Sequence, residues 1–257
     1  MRITSLFKNT KKPLIAYLTA GDGGFAYSLE CFEALIEGGA DLLEVGVPFS
    51  DPVADGPIIQ EGMQRALEAG TTMRDVLRLV KEIRSKYAIP IVLFSYYNPI
   101  YQRGESFFKE AKEAGVDGIL IVDLPMEEST LVQNLCTRYT LDLIPLITPS
   151  TSIERLITIA SKASGFLYYV TVSGTTGMRS TTCESLSSKL AEIKSYTHLP
   201  VVAGFGISSR KSAEQYIQAA DGFVIGSYFV NKVREKVTKQ EFIQSVQQID
   251  PRGVLVS

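Results

Sequence analysis

The groups best suited to moving protons are gathered in one stretch, Asp41-Leu-Leu-Glu-Val-Gly-Val-Pro-Phe-Ser-Asp-Pro-Val-Ala-Asp-Gly-Pro57. Glu44 sits inside a short apolar run, residues 42–45. Strand alternation puts it on the face of Leu42, opposite Leu43 and Val45. A carboxylate in such a run is costly unless it is solvated or partnered. The eleven residues after Gly46 hold three prolines and two further acids, Asp51 and Asp55. Connections are usually about four to six residues long, and prolines stiffen the chain. This loop therefore reads as the wall of an active site, built to hold a side chain in place. A carboxyl whose pKa is raised by apolar surroundings can give and take protons near neutrality. Glu44 and Asp55 are the candidates for that work, with Asp123 behind them.

Aromatic and glycine-rich groups supply the rest. Tyr17, Phe94, Tyr96 and Tyr168 would form a flat apolar slot, their alternative being ordinary core packing. Gly174, Gly177, Gly204, Gly206 and Gly226 would let backbone N–H groups approach an anion, and Ser227 could open a short helix aimed at it. Together these form a phosphate cradle. No lysine lies in any strand run, which disfavours a Schiff-base mechanism. The single histidine, His198, precedes Leu-Pro at the start of the seventh strand, the end of a barrel away from chemistry. Without a His or Cys cluster, zinc is disfavoured. Magnesium on Glu44, Asp55 and Asp123 is the weaker alternative to a metal-free site.

These groups need a scaffold that brings strand ends together. Short apolar runs at residues 14–18, 42–45, 89–94, 118–122, 143–147, 166–169, 200–203 and 221–225 read as strands. Helical spacing falls between them, at 25–37, 57–69, 72–86, 105–114, 127–139, 152–161 (capped by Ser150 or Ser152), 184–194 and 208–219, with Ser208 as the last cap. A helix over 239–248 closes the chain. Residues 95–101 read as an aromatic loop, and residues 4–8 as one turn whose neighbours Ile3, Leu6 and Phe7 plug a barrel bottom. A phrase also recurs: Gly39-Ala-Asp-Leu-Leu-Glu-Val-Gly46, Gly115-Val-Asp-Gly-Ile-Leu-Ile-Val122 and Ala220-Asp-Gly-Phe-Val-Ile-Gly226. Repeated helix-to-strand units predict an α/β chain, a closed (β/α)8 (TIM) barrel of the phosphate-binding type, as a single domain over 1–257. Gly21-Asp-Gly-Gly24 lacks the dinucleotide-binding spacing.

Composition narrows the class. With 45% apolar and 21% charged residues in 257, the chain is ordinary for a soluble globular protein. A net charge of -2 with scattered Lys and Arg gives no footprint for nucleic acid. No apolar run approaches membrane-spanning length, and residues 1–13 have no signal-peptide core. Three widely spaced cysteines read as reduced thiols. The expected location is cytoplasmic.

Five stretches in order carry a family resemblance: Pro48-Phe-Ser-Asp-Pro-Val-Ala-Asp-Gly-Pro57, Tyr96-Tyr-Asn-Pro99, Asp123-Leu-Pro-Met-Glu-Glu128, Gly174-Thr-Thr-Gly177 and Gly204-Phe-Gly-Ile-Ser208. The sequence closely resembles the alpha subunits of tryptophan synthase. The resemblance implies a barrel that cleaves indole-3-glycerol phosphate to indole and glyceraldehyde 3-phosphate. It also implies a beta subunit partner, in an alpha2-beta2 heterotetramer, that carries pyridoxal phosphate and joins the indole to serine. This chain itself would need no cofactor. In the same family reading Glu44 is the principal acid–base, Asp55 accepts the indole N–H, and Tyr168 supports the glutamate. Tyr17, Phe94 and Tyr96 line the ring, and Asp123 is the retained family acid. Thr176 helps position the catalytic aspartate, and Gly177, Phe205, Gly206, Gly226 and Ser227 hold phosphate. Val172 and Thr175 depart from the residues common there, Arg and Val, which bears on loop closure and coupling. Residues 173–182 would be a lid. Pro48, Asp51 and Asn98 would face the beta subunit. The alternatives are another phosphate-binding barrel isomerase or aldolase, or an inactive barrel that only activates a partner.

Overall fold

Continuous apolar runs become parallel strands, buried on both faces, because each run is short and flanked by a helix that must pack back onto it. The structure, a computed structural model, describes residues 1–170, 183–204 and 207–253. The chain opens with α1 (Arg2–Asn9), then β1 (Leu14–Thr19), α2 (Phe25–Gly38) and β2 (Leu42–Gly46). The long loop leads into α3 (Pro57–Glu68) and α4 (Met73–Lys86), followed by β3 (Ile91–Ser95), α5 (Tyr97–Tyr101), α6 (Glu105–Ala114) and β4 (Gly118–Ile121). Next come a 3-10 turn (Met126–Glu128), α7 (Thr130–Arg138), β5 (Asp142–Ile144), β6 (Leu146–Ile147), α8 (Ile153–Lys162) and β7 (Leu167–Val170). The remainder is α9 (Cys183–Lys194), β8 (Val201–Gly204), α10 (Arg210–Ala219), β9 (Gly222–Ile225), α11 (Ser227–Arg234) and α12 (Lys239–Ile249).

All the strand pairings are parallel, in the order β5-β4-β3-β2-β1-β9-β8-β7-β6. The strand expected over 143–147 is broken in two at Pro145, which has no N–H to give the ladder. Its carbonyl still accepts from Tyr168 N at 3.0 Å, so β5 and β6 are halves of one stave and the ring closes through the proline. The result is the (β/α)8 barrel, with its helices outside.

Two apolar layers follow from the pleat. Ile15, Leu42, Val92, Leu120, Ile144 and Phe166 point into the barrel, and Ile3 from α1 joins them as the expected plug. Leu43, Val45, Leu93 and Ile119 point outward and pack in the main cluster with helical residues such as Phe32, Val80 and Phe107. Glu44 therefore shares the inner face with Leu42, as alternation predicts.

The recurring phrase has a structural reason. Asp41, Asp117 and Asp221 each precede a strand, and each accepts the first N–H of the strand beside it: Leu14 at 2.8 Å, Ile91 at 3.0 Å and Val201 at 2.9 Å. Each carboxylate also meets a cation, Arg252 for Asp41, Arg84 and Arg2 for Asp117, and Lys194 for Asp221. These clamps set strand register at the end of the barrel away from chemistry.

Other expectations need adjusting. Residues 97–101 are helical, because the Asp123 carboxylate accepts from Tyr97 N at 2.7 Å and satisfies an end of that short helix. The helix expected over 127–139 is split at Ser129, whose hydroxyl turns back to Met126 O at 2.7 Å. Ser209, not Ser208, caps α10, through a reciprocal box with Ser212. Ser152 does cap α8.

Candidate active site

At the carboxyl ends of the strands lies a cavity of about 80 Å³. Tyr17, Phe94 and Tyr168 give it aromatic walls, Ile59, Ile207 and Val224 aliphatic ones, and Glu44 and Asp55 its carboxyls. Gly226 and Ser227 edge it, at the start of α11. The cavity brings together seven residues singled out in the sequence, Tyr17, Glu44, Asp55, Phe94, Tyr168, Gly226 and Ser227. Ile59, Ile207 and Val224 join them unannounced by any motif role. Ile59 was within reach of inference, since it sits in the first turn of the helix that follows Asp55.

Glu44 is 1% exposed, in register with Tyr17 on β1 and Val92 on β3. Neither carboxyl oxygen has a hydrogen-bond partner among the described residues. Burial without compensation pushes its pKa up to about 8, so the carboxyl holds its proton at neutral pH. Tyr168 lines the same cavity, yet donates no hydrogen bond to Glu44 here.

Tyr17 meets Phe94 edge-on, ring centres 5.2 Å apart, and its hydroxyl lies 3.3 Å from Thr19 Oγ1. Burial drives the Tyr17 and Tyr168 phenols well above their usual range, so both stay neutral. Two glycines make room for them. A Cβ at Gly46 would fall 2.3 Å from the Tyr17 hydroxyl, and one at Gly204 would fall 2.6 Å from that of Tyr168. Gly204 thus makes room for the Tyr168 ring as well as for Val224.

Asp55 is held from behind. Tyr96 donates its hydroxyl hydrogen to Asp55 Oδ2 at 2.7 Å and accepts from Ala54 N at 3.0 Å, while its ring stacks on Phe49 at 4.9 Å. Gln60 of α3 donates to the carbonyls of Asp55 at 2.9 Å and Pro52 at 3.2 Å. Burial raises the Asp55 pKa, and the Tyr96 hydrogen bond opposes that rise. Tyr96 was expected to line the ring slot. The structure places it outside the cavity wall, as the support of Asp55.

Asp123 also lies apart. It is exposed, caps α5, and borders a separate cavity of about 230 Å³ beside Pro145 and Arg155. His198 is at the opposite end of the barrel, in a groove with Lys8, Lys11 and Lys12. Thr176, Gly177, Phe205 and Gly206, the departures Val172 and Thr175, and the expected lid over 173–182 lie outside the described residues. Among those described, no group of three His, Cys, Asp or Glu could hold a metal, and no helix is long and apolar enough to cross a membrane. Near the mouth, Asp51 and Asn98 are exposed and Pro48 half-buried, with Val53 and Tyr101 86% and 63% exposed beside them.

A closed parallel barrel with two carboxyls in one apolar, aromatic slot at its strand ends defines a (β/α)8-barrel enzyme of the acid–base type. Residues 3–252 match the family model described as tryptophan synthase alpha chain. The chain is 48% identical over 256 residues to the tryptophan synthase alpha chain of Chlamydia felis (strain Fe/C-56), covering 98% of this chain and 99% of that one. It is 51% identical over 251 residues to that of Coxiella burnetii (strain CbuK_Q154), covering 97% of each. The solved structure of tryptophan synthase subunit alpha from Legionella pneumophila superposes with a TM-score of 0.88 at 35% identity, over 96% of this chain and 95% of that one. The chain belongs to the tryptophan synthase alpha chain family.

Proposed function

We propose that Glu44 and Asp55 carry the alpha reaction of tryptophan synthesis in this chain, the cleavage of indole-3-glycerol phosphate to indole and D-glyceraldehyde 3-phosphate. The supporting observation is a buried, unpartnered glutamic acid sharing one aromatic slot with a tyrosine-supported aspartate.

Breaking the bond from indole C3 to the glycerol chain first requires a proton on C3. That step dearomatises the five-membered ring and leaves positive charge at the nitrogen. Glu44 holds a proton at neutral pH and delivers it to C3. An anionic Asp55 takes the indole N–H as a hydrogen bond and stabilises the charge, more strongly in the slot than in water. The electron pair of the breaking bond returns to the ring, restoring the indole. The carbinol hydroxyl loses its proton to the Glu44 carboxylate as the aldehyde forms. One carboxyl thus gives and regains a proton, and the reaction balances without metal or organic cofactor.

Tyr17 and Phe94, packed edge-on against each other, line the indole ring from one side, and Tyr168 keeps water from Glu44. The start of α11 at Gly226 and Ser227 faces the phosphate, with Gly177, Phe205 and Gly206 assigned there, and Thr176 to the Asp55 side, by resemblance. Asp123 is best read as a structural cap of α5. The product passes to a beta subunit, which supplies pyridoxal phosphate for the following step. Pro48, Asp51 and Asn98 are the proposed contact, and exposed Val53 and Tyr101 extend it with apolar area.

The test is indole release from indole-3-glycerol phosphate by wild type and Glu44→Gln. A fall of at least ~10²-fold with substrate still bound is expected, the scale of general acid–base catalysis. Near-wild-type turnover of the variant at saturating substrate would remove Glu44 from the mechanism.

A further inference from the structure

We infer that Asp22 and Arg65, which lie outside the cavity, form a positioning pair that sets where Asp55 stands relative to Glu44. This rests on the acid–base reading above.

Asp22 is 2% exposed, in the loop after β1. Arg65, on α3, grips it fork to fork: Nε to Oδ1 at 2.7 Å and Nη2 to Oδ2 at 2.7 Å. Arg65 remains 28% exposed, and an ion pair buried on one side is a poor source of stability, since apolar replacements of similar volume are often neutral or better. What two parallel N–H···O bonds supply is a fixed distance and angle, where apolar surfaces can slide.

Each end of the pair is tied to one carboxyl. On the Asp22 side, Ala20 N donates to Gly46 O at 2.9 Å, fixing the loop to β2 just past Glu44. Gly21 N donates to Ser28 Oγ at 2.9 Å. Gly21 has a φ of +80°, and a Cβ there would lie 2.0 Å from Thr71 Oγ1, so the loop is seated against the chain that follows α3. On the Arg65 side, Gln60 of the same helix holds the Asp55 and Pro52 carbonyls, so the Asp55 loop rides on α3.

Gly62, one turn before Arg65, lets the parts meet. A Cβ there would stand 3.0 Å from Val230 of α11, 3.1 Å from Asp22 Oδ2 and 3.3 Å from Thr19 Oγ1. That threonine oxygen is the one beside the Tyr17 hydroxyl. Movement of α3 against the β1 loop would therefore carry Asp55 away from Glu44 and disturb Tyr17 with it. A misplacement of about 1 Å can cost roughly 10²-fold in rate.

The test uses the full chain, indole release from indole-3-glycerol phosphate, and thermal melts of the same samples. The double variant Asp22→Leu/Arg65→Met replaces the pair with apolar volume. It is expected to melt near wild type and keep KM within about threefold, while kcat falls about tenfold or more. Arg65→Lys, which keeps charge but loses the fork, should fall between them in kcat. A merely structural pair would move the melt and leave kcat per folded molecule unchanged. A folded double variant with wild-type kcat overturns the inference. If the double variant does not fold, wild-type kcat in Arg65→Lys overturns it instead. A wild-type chain that releases no indole, alone or with a beta subunit, overturns the acid–base reading itself.

Discussion

The Tyr96 hydroxyl stands 2.7 Å from the Asp55 carboxylate, and Ala54 N, one residue before that aspartate, donates back to the same phenol oxygen. One tyrosine thus holds both the charge of Asp55 and the backbone that presents it. Hydrogen bonds to a charged acceptor are worth roughly 1.5–3 kcal/mol, and losing this one leaves a half-buried carboxylate weaker as an anion. Tyr96→Phe is expected to lower kcat about tenfold and to move the acidic limb of the pH–rate profile upward. The direction follows because the bond opposes the rise that burial imposes on Asp55. An unmoved acidic limb would mean that Tyr96 does not hold the charge.

Glu44 sets the other limb. Its proton is needed at C3, and the carboxyl releases that proton as pH passes about 8. Turnover of the isolated chain by the chemical step should decline above that value. Steady-state rates between pH 6 and 10, with melts to confirm folding, would check it. A rate flat to pH 10 would place the donor elsewhere.

The same burial affects stability. The folded pKa of Glu44, about 8, lies above its ordinary value of 4.5. Between those values the unfolded chain has lost the proton and the folded chain has not. The contribution of this site to stability is therefore complete below pH 4.5, declines as pH rises, and is gone above about 8. Glu44→Gln removes the titration. Its melting temperature relative to wild type should be higher at pH 9 than at pH 5, by a few degrees. Equal differences at both pH values would show that Glu44 is solvated in solution.

Asp51 is exposed on the loop that also carries Asp55. Docking a beta subunit on Pro48, Asp51 and Asn98 would stiffen that loop, coupling two distinct sites. Asp51→Ala should keep most of the activity of the isolated chain and lose most of its stimulation by a beta subunit. A full titration in which mutant and wild type are stimulated equally would exclude Asp51 from the coupling.

What was legible in the sequence was periodic or local. Alternation alone put Glu44 on the inner face with Leu42, because a strand buried on both sides has only two places for a side chain. The break at Pro145 was also legible in principle, since a proline inside a strand removes a ladder bond. The recurring Asp was visible as a pattern, but its role was not. Each carboxylate serves a neighbouring strand, 20 to 27 residues away in sequence. The residue type of Tyr96 suits a ring wall, and nothing local distinguishes that role from support of Asp55. Only the return of the loop onto β3 shows that Asp55 lies on its hydroxyl. Asp22 and Arg65, 43 residues apart, had no local signal at all.

Ile3 has a consequence for traffic. It is fully buried among Ile15, Leu42, Val92 and Leu120, so the floor beneath Glu44 is sealed by a side chain from the first helix. Among the described residues the barrel is closed at that end. Traffic to and from Glu44 therefore runs through the strand-end face, where the cavity lies. A partner covering that face would govern what reaches the two carboxyls and what leaves them, simply by which groups it lets pass.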